Sequence, residues 1–215
     1  VNHLRLATNV LLACAVAACA CTPASPVAVK HLVHDYPAED VSGLVNVVVE
    51  IPAGTNQKWE TDKQSGRLVW DTKDGVPRVV AYLPYPGNYG MIPRTLLPKS
   101  LGGDGDPLDV LVLGPAVPRG SVVQARVIGV LRMLDSGEQD DKLIAVAPES
   151  ALGGVKSLEE LQRDFPAAAE IVELWFTHYK GPGEMQSQGY AEADEARRIL
   201  KTAIAAYQDD AATLD

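Results

Sequence analysis

No cysteine follows residue 21. The three in the chain, Cys14, Cys19 and Cys21, crowd into its start. The body of this 215-residue protein therefore has no disulfide framework, no four-cysteine zinc site and no cysteine nucleophile. Positive charge is also scarce, with 19 Lys and Arg against 28 Asp and Glu and a formal net charge of −9. A nucleic-acid partner wants a basic face and is not expected, whereas a small phosphate compound stays open because metal cations can supply the missing charge. The N-terminal apolar run, Leu6–Ala18, is 13 residues long and interrupted by Thr8 and Asn9. A hydrocarbon core needs about 20. There is no internal repeat and no Walker A, HExxH or G-x-S-x-G pattern. What remains is a length and a composition, 47% hydrophobic and 22% charged, that suit one globular domain with an appendage.

The appendage reads as an address. Residues 1–34 hold no Asp or Glu, Arg5 gives a positive start, and small residues follow the short apolar run. That is the pattern of a secretory signal, here 1–18. It ends Val16-Ala17-Ala18-Cys19, which resembles a bacterial lipobox and implies cleavage before Cys19 and a diacylglycerol on its thiol. Residues 19–40, with Pro23, Pro26 and Pro37, then form a tether, and 41–215 the functional domain. The expected location is the extracytoplasmic face of a bacterial membrane, held only through the lipid. Val1 suits an alternative start codon. If the start is mis-annotated, the run is a meaningless stub and the protein cytoplasmic.

In the body, Leu44–Ile51 reads as a strand, Lys58–Asp62 and Arg67–Asp71 as a hairpin, and Val79–Leu83, Asp109–Leu113, Ser121–Leu134 and Leu143–Ala147 as further strands. Gly129 marks a bend in the longest. After about residue 155 the pattern turns helical. Ser157-Leu-Glu-Glu160 has capping-box spacing, a helix is expected over Ala167–Lys180, and another, apolar on one face, over Ala191–Gln208. Strands first and helices after them argue for an α+β fold, a small OB-like closed barrel flanked by C-terminal helices.

The densest chemical signal is Gly103-Asp104-Gly105-Asp106-Pro107-Leu108-Asp109-Val110, three carboxylates in a Gly/Pro turn that feeds an apolar strand. A second acidic group, Asp135-Ser-Gly-Glu138-Gln-Asp140-Asp141, follows the long strand. Two like charges 4 Å apart cost about 1 kcal/mol in water and about 4 at an effective dielectric of 20. If the groups converge, something cationic must sit among them. Oxygen donors without His or Cys favour Mg²⁺, Mn²⁺ or Ca²⁺ over zinc. An EF-hand is excluded, because a loop starting at Asp104 puts Asp109 where Gly is required and Pro115 where the closing Glu belongs. Lys58 and Glu60 share a strand face by period two, and Arg78, Lys142 and Lys180 each sit near an acidic or aromatic motif. Together these suit a polyanion held between metals and cationic side chains.

With these residues in place, the chain from about Leu44 to Lys180 resembles the family I soluble inorganic pyrophosphatases. The segments that carry the resemblance occur in order: Val-Val-Glu50-Ile-Pro-Ala, Lys58-Trp-Glu60, Tyr85-Pro-Gly-Asn-Tyr89-Gly, Asp104-Gly-Asp106-Pro-Leu-Asp109-Val, Asp135 to Lys142, and His178-Tyr179-Lys180. The resemblance implies a five-stranded OB-like barrel that hydrolyses pyrophosphate with three to four Mg²⁺, Mn²⁺ being a possible substitute. It implies Asp104, Asp109 and Asp140 as ligands of the first metal, Asp109 shared with a second, Asp135 and Asp140 on a third, and Glu60 with Glu50 supporting a fourth through water. Asp106 would hold and deprotonate the attacking water. Lys58, Arg78, Tyr179 and Lys180 would grip the phosphates, with Tyr89 and Lys142 helping to bind or orient them. A homo-oligomer is expected, since bacterial relatives are commonly hexamers. Ser136 stands where such relatives often carry an acidic residue, and Thr72–Val76 spaces Arg78 differently. His31 and His34 are expected in the tether, solvated, and His178 in a packing or supporting role. Two rivals are a non-catalytic cation- or phosphate-binding lipoprotein on the same barrel and, last, an OB-fold oligonucleotide binder.

Overall fold

Valine, isoleucine and leucine run almost unbroken through the central strands because both faces of the sheet are buried, the situation in which strict alternation disappears. The computed structural model describes residues 29–97, 103 and 105–212. In chain order the elements are β1 (Val45–Ile51), β2 (Trp59–Thr61), β3 (Leu68–Trp70), β4 (Thr72–Lys73), β5 (Val76–Pro77), β6 (Asn88–Met91), β7 (Asp109–Leu113), β8 (Val122–Asp135), β9 (Glu138–Gln139), β10 (Lys142–Val146), α1 (Leu158–Asp164), α2 (Ala168–His178), β11 (Met185–Glu192) and α3 (Ala193–Ala212). Among the described residues no helix is long and apolar enough to cross a membrane.

The 14-residue β8 is the spine. Its first residues pair with β1 (Ala125 opposite Val45) and its middle with β10 (Leu131 opposite Lys142), so β1, β6, β7, β10 and β8 close into a ring of five. Within the ring only β7–β10 is parallel. β11 extends the sheet along the second half of β8. Successive side chains leave a strand on opposite faces. Leu111, Leu113, Ile144 and Val146 join one core with Leu158, Val172, Trp175 and Phe176 from α1 and α2. Val110, Val112, Leu143 and Ala145 join another with Ala196, Leu200 and Ala203 from α3. Gly129 is indeed a special position in β8. The register with β10 shifts beside it, and a Cβ there would lie 2.3 Å from Leu158 Cδ1, so α1 docks against bare backbone.

The helices begin where their sequence signals put them, within two residues. Ser157 caps α1 by accepting the Glu160 N–H at 3.1 Å. Helix α2 starts at Ala168 and not Ala167, which is left-handed (φ 66°) and gives no side-chain cap. Val79–Leu83 is not a strand: Val79 makes one bridge, to Gln57, and the chain then bends toward Pro84 and Pro86, which have no N–H for a ladder. Part of the segment expected as tether packs on the body. Val33 and Ala38 are buried, His31 stacks on His34 at 4.2 Å, and His34 Nδ1 lies 2.6 Å from Tyr207 Oη on α3. The signal segment and Cys19 lie outside the described residues.

An L-residue in the left-handed region costs about 1–2 kcal/mol, which glycine escapes. Ala167→Gly is expected to stabilise the protein by about 1 kcal/mol, raising Tm by about 2–4 °C in a thermal melt. A lower Tm would show that Ala167 carries no such strain.

Candidate active site

Strand register builds the centre of the site. Leu143 pairs with Val110 in the parallel β7–β10 ladder, so Asp109 and Lys142, the first residues of the two strands, lie side by side. Asp140 is two residues before Lys142 and shares its face, whereas Asp141 turns away and accepts the Met133 N–H at 3.0 Å. The Lys142 ammonium is bonded to both Asp109 and Asp140, and its side chain is 2% exposed. Burial opposes that charge, but the two carboxylates overcome it and hold Lys142 above the ordinary lysine range. The turn Ser136-Gly137, with φ of 52° and 95°, folds β9 back on the end of β8 and carries the chain from Asp135 to Asp140. Lys180, beyond the end of α2, is paired with Asp135. Partial burial works against the Asp135 charge, and Lys180, helped by Ser136, more than offsets it, so this carboxyl sits below its usual pKa.

Two small hairpins form the opposite wall. Lys58 and Glu60 flank Trp59 at β2, their charged ends 3.7 Å apart. The residues before Arg78 form β4 and β5, joined by Asp74-Gly75 with positive φ at both, the Asp-Gly turn suited to a two-residue hairpin. This returns the chain so that the Arg78 N–H donates to Asp71 O at 2.8 Å and the Lys58 N–H to Arg78 O at 3.0 Å. Behind them Glu50 of β1 is buried and accepts the Thr61 N–H at 2.7 Å. Desolvation pushes its pKa up to about 8, against the pull of Thr61, with Asp109 adding repulsion. Tyr89 and Tyr179 are held well above the ordinary phenol range by burial and by the nearby carboxylates, so both keep their O–H protons. Tyr179 stacks on Trp175 at 4.7 Å, which fixes the residue next to Lys180.

These residues share one cavity of about 340 Å³. Glu50, Lys58, Glu60, Arg78, Tyr89, Asp106, Asp109, Asp135, Asp140, Lys142, Tyr179 and Lys180 all line it. Asp104 lies outside the described residues. His178 is not on the cavity; its Nδ1 lies 2.8 Å from Leu174 O.

A family model described as inorganic pyrophosphatase matches residues 47–208. The chain belongs to the inorganic pyrophosphatase family. It is 39% identical over 173 residues to the inorganic pyrophosphatase of Xanthomonas axonopodis pv. citri, covering 78% of this chain and 91% of that one. Among solved structures it resembles the inorganic pyrophosphatase of Helicobacter pylori (34% identity, TM-score 0.67, 86% of this chain and 99% of that one). It also resembles the type I inorganic pyrophosphatase of Toxoplasma gondii (30% identity, TM-score 0.76, 83% and 87%).

Reading the sequence missed three participants. Asp71 follows β3 and is bonded to Arg78 and 3.4 Å from Lys58, tying together two cations expected to grip phosphate. Its only sequence signal is a carboxylate closing an apolar strand. Tyr85 lies on the cavity and packs against Tyr89 and Trp175. Lys63 reaches Asp106 from the β2–β3 turn.

The donor set fits hard divalent ions. The lining has carboxylates and no His or Cys, and lysine ammoniums already bridge or pair Asp106, Asp109, Asp135 and Asp140. Among the described residues no three carboxylates are grouped tightly enough to hold one ion as they stand. Glu50 adds a buried carboxyl whose ionisation, already favoured by Thr61 and Lys58 but outweighed by desolvation, a further cation would promote.

Because Glu50 keeps its proton to about pH 8 in the fold and releases it near 4.5 when unfolded, it stabilises most below pH 4.5 and loses that contribution as pH rises toward 8. In metal-free protein, Glu50→Gln should therefore raise Tm more at pH 8 than at pH 5. An equal effect at both would contradict the raised pKa.

Proposed function

We propose that the chain hydrolyses inorganic pyrophosphate to two orthophosphates in an OB-like five-stranded barrel. The observation that carries the reading is the cavity itself, in a chain of this family. Lys58, Arg78 and Lys180, from three separate stretches of the chain, line it together with Asp106, Asp109, Asp135 and Asp140. Such a site has both the cations to hold a polyanion and the carboxylates to hold the metals that neutralise it.

Asp109, Asp135 and Asp140, with Asp104 and with Glu60 and Glu50 in support, would hold three to four Mg²⁺, or Mn²⁺ in their place. When bound, the metal supplies charge neutralisation and a more acidic water. The chain's own groups do the rest. Asp106, half exposed at the cavity, takes the proton of the attacking water as its oxygen bonds to one phosphorus. The bridging P–O bond breaks, and the second phosphate leaves with the electron pair. Lys58 and Arg78 on one wall, and Lys180 with the Tyr179 hydroxyl on the other, meet the charge on the equatorial and leaving oxygens. Little covalent help is needed, so orientation and charge carry the rate. Lys142 contributes by holding Asp109 and Asp140 in register.

Asp106→Ala is expected to lower Mg²⁺-dependent phosphate release at least ~10²-fold, the scale of a lost acid–base group. Near-normal turnover would reject that assignment. Cation binding without turnover in the unmodified protein would replace the hydrolase with a binding protein.

We further infer from the Val16–Cys19 segment that the protein is exported and anchored through lipid on Cys19, on the outer side of a bacterial cytoplasmic membrane or beyond, and that it works as a homo-oligomer. Cys19→Ala should move pyrophosphatase activity from washed membranes to the soluble fraction and lower the mature mass by the lipid. If the wild-type activity is already soluble and its mass unmodified, the anchor is wrong.

A further inference from the structure

Lys58, Glu60 and Arg78 ride on small hairpins, whereas Asp109 and Asp140 sit at or just before the starts of β7 and β10 in the closed ring. A polyanion held between them needs the hairpins fixed to the ring. The turn end of the β2–β3 hairpin is tied by Lys63, which reaches Asp106 and Gly105, and by the Leu32 N–H, which donates to Gly66 O at 3.0 Å. At Thr61 the backbone N–H donates to the Glu50 carboxyl at 2.7 Å. The opposite end, where Lys58 enters β2, is met by Arg119.

Arg119 springs from a fixed base. Its turn, Pro118-Arg119-Gly120-Ser121, is closed by the Ser121 N–H donating to Pro118 O at 3.1 Å, and is bonded to β1 in both directions: the Gly120 N–H donates to Val49 O at 2.8 Å and the Val49 N–H to Ser121 O at 2.9 Å. From there Arg119 Nε donates to Glu50 O at 2.9 Å and Nη2 to Gln57 Oε1 at 3.2 Å. The guanidinium carbon lies 4.6 Å from the centre of the Trp59 ring. Trp59 stacks in turn on its cross-strand partner Trp70 at 5.4 Å, and Trp70 Nε1 donates to Arg78 O at 2.9 Å. Arg119 thus joins β1 at Glu50 to the residues on either side of Lys58. It lies behind the cavity and not on its lining. A planar guanidinium can donate in its plane and stack on an indole face at once, which a lysine ammonium cannot.

We propose that Arg119 is a positioning residue for the phosphate grip: by joining Glu50 O and Gln57 in its plane and Trp59 on its face, it braces the Lys58 end of β2 against the ring. The proposal rests on the pyrophosphatase reading of the cavity. The other ties hold the far end and the middle of the hairpin; the Arg119 brace holds the end that carries Lys58 and, through Trp59 and Trp70, lies next to Arg78. These cations hold the polyanion before and during the reaction alike, so slack in them weakens binding throughout and reads in KM. Asp106 and the carboxylates of β7 and β10 stand on the ring side, so kcat stays in place.

The test uses the full chain at saturating Mg²⁺ with Arg119→Lys, Arg119→Met, Lys58→Met and the Arg119→Lys/Lys58→Met pair. Arg119→Lys keeps the charge and loses the planar fork, and should raise KM for pyrophosphate about fivefold with kcat within about twofold of wild type; Arg119→Met should do at least as much. On the Lys58→Met background, Arg119→Lys should raise KM less than about twofold further. Amide hydrogen exchange across 57–61 should quicken in Arg119→Lys and stay unchanged across 109–113. A wild-type KM in Arg119→Lys would overturn the proposal, since the positive charge alone would then suffice. A full fivefold rise on the Lys58→Met background would also overturn it, because Arg119 would act apart from the grip, as would a lowered kcat at unchanged KM. If the unmodified protein releases no phosphate, the pyrophosphatase reading fails by itself, and exchange across 57–61 still decides the brace: unchanged exchange in Arg119→Lys overturns it.

Discussion

Everything in this molecule is arranged around charge that cannot stand alone. Among the carboxylates that line one cavity of about 340 Å³, Asp106, Asp109, Asp135 and Asp140 are each joined to a lysine. At an effective dielectric of 20, a pair of like charges 4 Å apart costs about 4 kcal/mol. Lys142, almost wholly buried, answers the central pair. That ion triad exists because β7 and β10 run parallel in a register that starts both strands at the cavity. The closed ring makes the register unforgiving. A slip by one residue would turn Asp109 into a core and a valine into the site.

The same logic explains why the cations come from elsewhere. Lys142 is committed to Asp109 and Asp140, so the hold on a phosphate polyanion would fall to other cations. The grip would come from the β2–β5 hairpins, where Asp71 holds Lys58 and Arg78 together, and from Lys180, which follows α2 beside Tyr179 and is itself paired with Asp135. The substrate would thus enter between two surfaces, one presenting the metals and the base, the other presenting fixed positive charge. Binding and neutralisation become one event, which is what phosphoryl transfer to water asks for.

Much of this was legible before any coordinates. The valine-rich strands, the irregularity at Gly129, the Ser157 cap and the amphipathic last helix follow from local pattern. β6 and β11 did not, for opposite reasons. β6 is Asn-Tyr-Gly-Met between prolines, and its Asn88 is a buried hub that accepts from the Ala53 and Val117 N–H groups and donates to Pro115 O, a role no periodicity encodes. β11 is a polar edge strand whose pairing partner was set by β8. At the site, spacing named the acidic loops, but their meeting was carried by the order of six family-like segments. Asp71 and Lys63 were invisible because each acts through a hairpin that reaches a distant residue, Lys63 spanning to Asp106. The tether boundary erred on the side of composition: prolines and histidines near residue 30 read as solvated, yet Gly66 leaves a flat surface on which the His31 ring can lie.

The most direct measurement is phosphate released from pyrophosphate by the purified protein as free Mg²⁺ is raised from a chelated start. No turnover in chelator, then a saturable rise with Mg²⁺, is the result expected of a cavity whose acids require cations to act. Turnover indifferent to Mg²⁺, or none at any concentration, would contradict it.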